Sequence, residues 1–256
     1  MIESVDRRVL GGFICVDAIT GSSVVPAIPV TAPQWTVKPN RSGVYVVFNG
    51  PGFDPLTGQF MPSGSWPAPA PFEVSLQDPN RRYLPRRATV KAPLAVPSIP
   101  PDPVAATGVF VPQQVPLYPS PSAAIGQNWA TIHASVTRQG STPPQGLPWA
   151  ILQVVQNSDN TVLATGQTDS NGEALLAVIG LTVQASTSGT GPVTVSTVAA
   201  TVTAYFDPNA LTQPAGWIPN PDDILNNLSS AALKSASQPV ELSSGQEGPL
   251  SFSIAL

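Results

Sequence analysis

Cysteine is almost missing from this 256-residue chain: Cys15 stands alone, so no intrachain disulfide can form and packing and hydrogen bonds have to hold the fold. Histidine is as scarce. His133 is the only one, which excludes a two-histidine metal site within one chain, and we expect no cofactor. Charge is thin as well, at 10% against the usual quarter or so, yet 42% of the residues are hydrophobic, so the composition is not that of a disordered chain. No run of about 18 apolar residues is present to cross a bilayer as a helix. Residues Met1 to Arg8 lack an apolar signal core, from which we expect synthesis and folding in the cytosol without membrane insertion. An enzyme must bring together a nucleophile, a base and a stabiliser; one histidine, one cysteine and carboxylates scattered through turns do not supply them, so a non-catalytic role is expected.

Proline and glycine are plentiful, at 31 and 20, alongside much Ser, Thr and Val. Such a composition disfavours long helices and favours many short strands joined by turns. The expected fold class is all-β: two antiparallel, Greek-key-like β-sandwich domains joined by a Pro-rich linker, with one short helix near 221–235. The most informative stretch is 161–179, where a Thr-rich segment and an apolar one flank Asp169, Asn171 and Gly172. These residue types cap backbone amides and accept positive φ, so a β-hairpin is predicted there. A similar unit stands earlier, where Pro39-Asn40-Arg41-Ser42-Gly43 precedes Val44 to Phe48, as if one kind of β domain were used twice.

The first part begins with Val9 to Asp17, apolar enough for a strand buried on both faces, with Cys15 a small core residue. Pro26 and Pro29 place the next segment on an edge or at bulges. Gly12-Phe13-Ile14-Cys15-Val16-Asp17-Ala18-Ile19-Thr20-Gly21, followed by Val30 and by Ser42-Gly43-Val44-Tyr45-Val46, resembles the opening of a transthyretin-like or carboxypeptidase regulatory-like domain, and Thr168-Asp169-Ser170-Asn171-Gly172 resembles the same family's hairpin. That resemblance implies antiparallel sandwiches that usually serve as non-catalytic appendages. The Pro-rich stretch 51–71 is longer than the family pattern and is expected to be an inserted loop.

Phe72, Val74 and Leu76 alternate with polar residues and should face a core. Residues 81–91 carry five of the eleven Lys and Arg: Arg81, Arg82, Arg86, Arg87 and Lys91, with Tyr83 among them. Phosphate contacts and base stacking would use such residues, but an acidic chain with a patch one hairpin wide is better served by a charged edge strand that blocks wrong pairing, and no nucleic-acid partner is expected. Residues 1–91 hold nine basic against six acidic side chains and 92–256 two against nine, so the halves are +3 and −7. Either the sparse charges fell unevenly, or copies or neighbours dock basic end to acidic end.

Nine prolines between Pro93 and Pro121 suggest a semi-rigid spacer. The expected domains are therefore 1–92, a linker over 93–125, and 126–256 with a helical insertion. Val109 to Val111 and Val115 to Tyr118 are too apolar for a purely solvated spacer and should lie against a domain or partner. In the second domain Ala130, Ile132, Ala134 and Val136 take one face of a strand and His133 the other. Asp169, Asn171 and Glu173 suggest a turn rather than a calcium loop, whose remaining ligands are missing. Val193 to Phe206 reads as one long Val/Thr/Ala strand, with Val198, Ala200, Val202, Ala204 and Phe206 on one face. Asn220-Pro221-Asp222-Asp223 carries helix start signals, with Ile224, Leu225, Leu228 and Ala232 expected to face the sandwich. The last strand, Leu250 to Leu256, should close its own sheet or be donated to a neighbour.

Taken together, the residues point to a structural or assembly protein that contacts other subunits as a homo-oligomer or larger assembly, through Arg81, Arg82, Tyr83, Arg86, Arg87, Phe110 and Tyr118. A β-rich, lightly charged chain without export signal or disulfides is, by analogy, what a particle built in the cytosol and released would use, as in a phage tail or contractile injection machine. Glycan binding through Trp35, Trp66, Trp129, Trp149 or Trp217 is the alternative.

Overall fold

The structure, a computed structural model, describes residues 9–53, 68–94, 111–181, 183–184, 194–195, 197–214 and 216–256. Most of the inserted loop expected at 51–71 and of the spacer before 111, with Trp66 and Phe110, lies outside the described residues. The fold is all-β, and the chain divides into two compact units. The first is drawn from Met1–Asp17, Gly21–Pro79 and Pro85–Leu117, the second from Ala18–Thr20, Asn80–Leu84 and Tyr118–Leu256.

In the first unit the strands are β1 (Gly11–Asp17), β2 (Val30–Thr31), β3 (Thr36–Pro39), β4 (Val44–Asn49), β5 (Ala70–Leu76), β6 (Arg86–Ala92) and β7 (Gln113–Leu117). They form two sheets, ordered β3-β4-β1-β7 and β2-β5-β6. Pairing is antiparallel except for β1 with β7, which run parallel with Cys15 opposite Val115. Period-two alternation turns Phe13, Tyr45, Val74, Leu76 and Val90 inward, all at most 1% exposed. Phe13 and Tyr45, register partners on β1 and β4, stack at 4.7 Å. The buried Tyr45 hydroxyl donates to the Ile28 carbonyl at 2.6 Å, so the ring is buried without an orphaned polar group. Trp35 stacks on Phe72 at 4.0 Å and closes that end.

Residues 113–117 correct the expected domain boundaries. They fall inside the stretch taken for a spacer, yet they form β7, because Val115 and Leu117 bury their side chains (4% and 1% exposed) beside β1. Pro116 is tolerated since β7 lies at a sheet edge.

The second unit contains β8 (Ala130–Arg138), β9 (Ile151–Gln156), β10 (Val162–Gln167), β11 (Glu173–Val178), the short pair β12 (Val183–Gln184) and β13 (Thr194–Val195), β14 (Val198–Phe206), helix α1 (Pro221–Leu225), β15 (Lys234–Leu242) and β16 (Glu247–Ile254). Its main sheets are ordered β11-β8-β16 and β10-β9-β14-β15. Their inner faces share one core, in which Ile132, Val136, Leu152, Leu176, Val202 and Phe206 are at most 5% exposed. The C-terminal strand β16 closes its own sheet, parallel to β8.

Two expectations are corrected here. The strands flanking Asp169 do not pair as a hairpin: β10 bonds to β9 and β11 to β8, so the turn carries the chain from one sheet of the sandwich to the other. The helix stops at Leu225 instead of reaching 235. Asn220 caps it as expected, its Oδ1 accepting from the Asp222 amide. The two asparagines that follow favour turns over helix, and Asn227 Nδ2 turns back to the Asp223 carbonyl. Ala232 is exposed, and residues 234–242 become β15.

The two units repeat one plan. In each, the first strand pairs antiparallel with the fourth (β1 with β4, β8 with β11) and parallel with the last (β7, β16). With the short β12–β13 pair of the second unit left out of the count, the second, fifth and sixth strands form the opposite sheet in each (β2, β5 and β6; β9, β14 and β15). The third strand is the difference: β3 joins β4, whereas β10 joins β9. The turn before the fourth strand is built identically in both. Asn40 Oδ1 accepts from the amides of Ser42 and Val44, both at 2.9 Å, and Asp169 Oδ1 accepts from those of Asn171 and Glu173 at 2.7 and 3.0 Å. The amides of Asn40 and Asp169 in turn donate to the carbonyls of Val44 and Glu173. Gly43 and Gly172 take φ of +79° and +84° at the fourth position of the turn.

Candidate interaction surface

Among the described residues, those expected to meet a partner differ in exposure. On β6, Arg86 shares the inward face with Ala88, Val90 and Ala92; it is 2% exposed and its Nη1 donates to the Pro116 carbonyl of β7. Tyr118 is 3% exposed, and its carbonyl accepts from the Leu84 amide. These two side chains serve the fold and are removed from the partner set. Arg87 pairs with Glu73 across β5 and β6 at 3.4 Å, a surface contact worth about 0.2–1 kcal/mol. Arg81 and Arg82 are exposed, and the Arg82 guanidinium lies 5.7 Å from the centre of the half-buried Tyr83 ring. The alternation of Arg86 with Ala88, Val90 and Ala92 was a visible signal that this arginine faces inward.

Other chemically capable groups are committed locally. Asp169 holds its turn, Asp207 caps the amide of Asn209, and His133 Nε2 lies 3.0 Å from Glu247 Oε1 on a half-exposed strand face. Cys15 is buried, and burial pushes its thiol up to about 11 against a smaller opposing pull from the Tyr45 hydrogen bond and the Arg86 charge. Burial also raises the Tyr45 phenol, with Cys15 adding to it. Among the described residues no group of three His, Cys, Asp or Glu is placed to hold a metal, and no helix is long and apolar enough to cross a membrane. Trp35 covers Gly50 and Trp129 covers Gly126 so closely that a Cβ at either glycine would lie within 2.3 Å of the ring, which marks both as packing residues.

One flank distinguishes the units. In the first, the Gln113 side chain stitches β7 to β6, accepting from the Lys91 amide at 3.1 Å and donating to the Lys91 carbonyl at 2.9 Å. Leu94 then donates its amide to the Leu10 carbonyl and lays its side chain over Gly11. In the second unit Phe252 faces Val136 as Val115 faces Cys15, so Leu250 occupies the position of Gln113 and has no amide to bridge with. Between β8, β15 and β16 a groove of about 210 Å³ is open there, walled by Ala130, Ile132, Val240, Leu242 and Leu250 and edged by the exposed Glu241. It is smaller than the roughly 300–1,000 Å³ of a typical small-molecule site.

No protein-family model matches the chain, and no curated protein matches it in sequence.

Proposed function

We propose that this is a non-catalytic structural or assembly protein, an accessory subunit of a large particle such as a phage tail or contractile injection machine. It acts through protein–protein contacts, as two transthyretin-like sandwiches in series. One observation carries this: the same plan of seven strands, the short β12–β13 pair aside, and the same Asx-capped turn occur twice, and among the described residues Asn40, Asp169 and Asp207 are spent on turns and caps within that plan. Repeating a rigid module multiplies surface without requiring a cleft, which suits a scaffold. The resemblance of residues 12–46 and 168–172 to one family supports the same conclusion. The chain is folded in the cytosol and leaves as part of the released particle.

Co-purification from the native host under gentle lysis, followed by cryo-microscopy of the sedimenting fraction, tests the role. The chain is expected in a high-mass fraction with other subunits; recovery solely as free monomer would refute it.

A further inference from the structure

Chemical complementarity links the open groove of the second unit to one end of the first. Val25 is 57% exposed, the most exposed large apolar side chain among the described residues. It lies against Gly43 at the β3–β4 turn, where a Cβ would come within 3.4 Å of its Cγ2. The same turn exposes Arg41, and β3 exposes Lys38. Among the described residues neither cation has an acidic partner. An aliphatic knob flanked by positive charge is thus displayed at the tip of the first unit.

The groove presents the converse: aliphatic walls from Val240, Leu242 and Leu250, with the exposed carboxylate of Glu241, unpaired among the described residues, at its edge. In the first unit the corresponding flank is filled by a leucine, Leu94, so this fold accommodates an aliphatic side chain at that place. The charge balance of the whole chain has the same polarity, +3 over residues 1–91 and −7 over the remainder. Strand addition is a poor alternative way to join copies there, because β15 and β16 carry Pro239 and Pro249.

We propose that the groove of the second unit seats the Val25–Arg41 tip of a second copy of this chain, so that copies join head to tail. Such a contact is heterologous, and its repetition yields rings or filaments rather than a closed two-fold dimer. This docking rests on the assembly role proposed above and specifies one of its contacts.

Sedimentation velocity on the purified full chain over a concentration series, in about 0.05 M and about 0.5 M salt, tests it, because screening weakens an exposed charge pair. The wild type is expected to form concentration-dependent oligomers that weaken in high salt. Glu241→Arg and Arg41→Glu, both at exposed positions, should each lower association about tenfold or more, and an equimolar mixture of the two variants should recover it. Gly248→Leu, whose added side chain enters open space at the groove, should abolish association without changing charge. Circular dichroism of each variant checks that the fold is intact. A wild type that stays monomeric throughout, or charge variants that associate normally, or a mixture that fails to recover, overturns the proposal. A monomeric chain that still co-sediments with other subunits from the host overturns this contact while leaving the assembly role standing; a chain that is monomeric in both settings removes both.

Discussion

Replacing Gly172 by alanine should damage the protein far more than the same change at Gly43, although the two glycines occupy the same position of the same turn. Both take a left-handed backbone, at φ +84° and +79°, so each alanine incurs a conformational cost of about 1–2 kcal/mol. The surroundings differ. A Cβ on Gly172 would stand 2.5 Å from the Val136 carbonyl oxygen and 2.8 Å from the Leu147 nitrogen, two atoms already joined to each other by a 2.8 Å hydrogen bond. It would also stand 2.9 Å from the Cα of Gly146, and no side-chain rotation relieves backbone contacts of this kind. A Cβ on Gly43 would meet the Val24 carbonyl oxygen at 3.3 Å and the Val25 methyl at 3.4 Å, a few tenths of an ångström from ordinary contact. Overpacking at Gly172 therefore adds ~1–3 kcal/mol, and the two variants should differ by roughly tenfold or more in opening equilibrium. Hydrogen exchange read by mass spectrometry resolves the units separately: protection of 130–138 and 173–178 in Gly172→Ala is compared with that of 11–17 and 44–49 in Gly43→Ala. Equal losses in the two variants would refute the close backbone packing on which the difference is calculated.

Thr168→Val should cost about 2–4 kcal/mol by urea unfolding: the buried hydroxyl accepts from the Ala150 amide at 2.8 Å and donates to the Leu147 carbonyl at 2.9 Å, and an isosteric methyl serves neither, so a loss within a few tenths of zero would contradict that network. Because Cys15 titrates at about 11 when folded and near its ordinary 9.0 when unfolded, its contribution is fully present below pH 9 and is lost as pH rises through 11; thermal scans should show the wild type losing stability over that window more steeply than Cys15→Ala, and parallel curves would count against it.

Much of the fold was legible where alternation met turn chemistry. Ala130, Ile132, Ala134 and Val136 fill the core as their spacing requires, and the Asx-Gly turns sit at 40–43 and 169–172 because a short acceptor followed by glycine satisfies the local amides with little help from elsewhere. Alternation assigns a face but not a partner, so nothing in 162–178 announced that β10 and β11 enter opposite sheets. Strand β7 was hidden by Pro116, which is compatible with an edge, and β15 by its polar residues and Pro239. Arg86 was misplaced because charge was given more weight than period; its long side chain finds the Pro116 carbonyl under cover of the sheet. The open groove depends on Leu250 standing where the other unit has Gln113, a relation visible only once the register of both parallel pairs is known.

The strand prolines have a consequence at high protein density. Pro39, Pro116, Pro239 and Pro249 all fall on outermost strands, and Pro71 stands in β5 where only β6 pairs with it. Where many copies are crowded onto one body, chains with bare backbone rims would zip into continuous sheets and gel. Interrupting those rims with residues that cannot donate leaves side chains to decide which neighbours stick, so such a molecule can be stockpiled in quantity and still be placed one contact at a time.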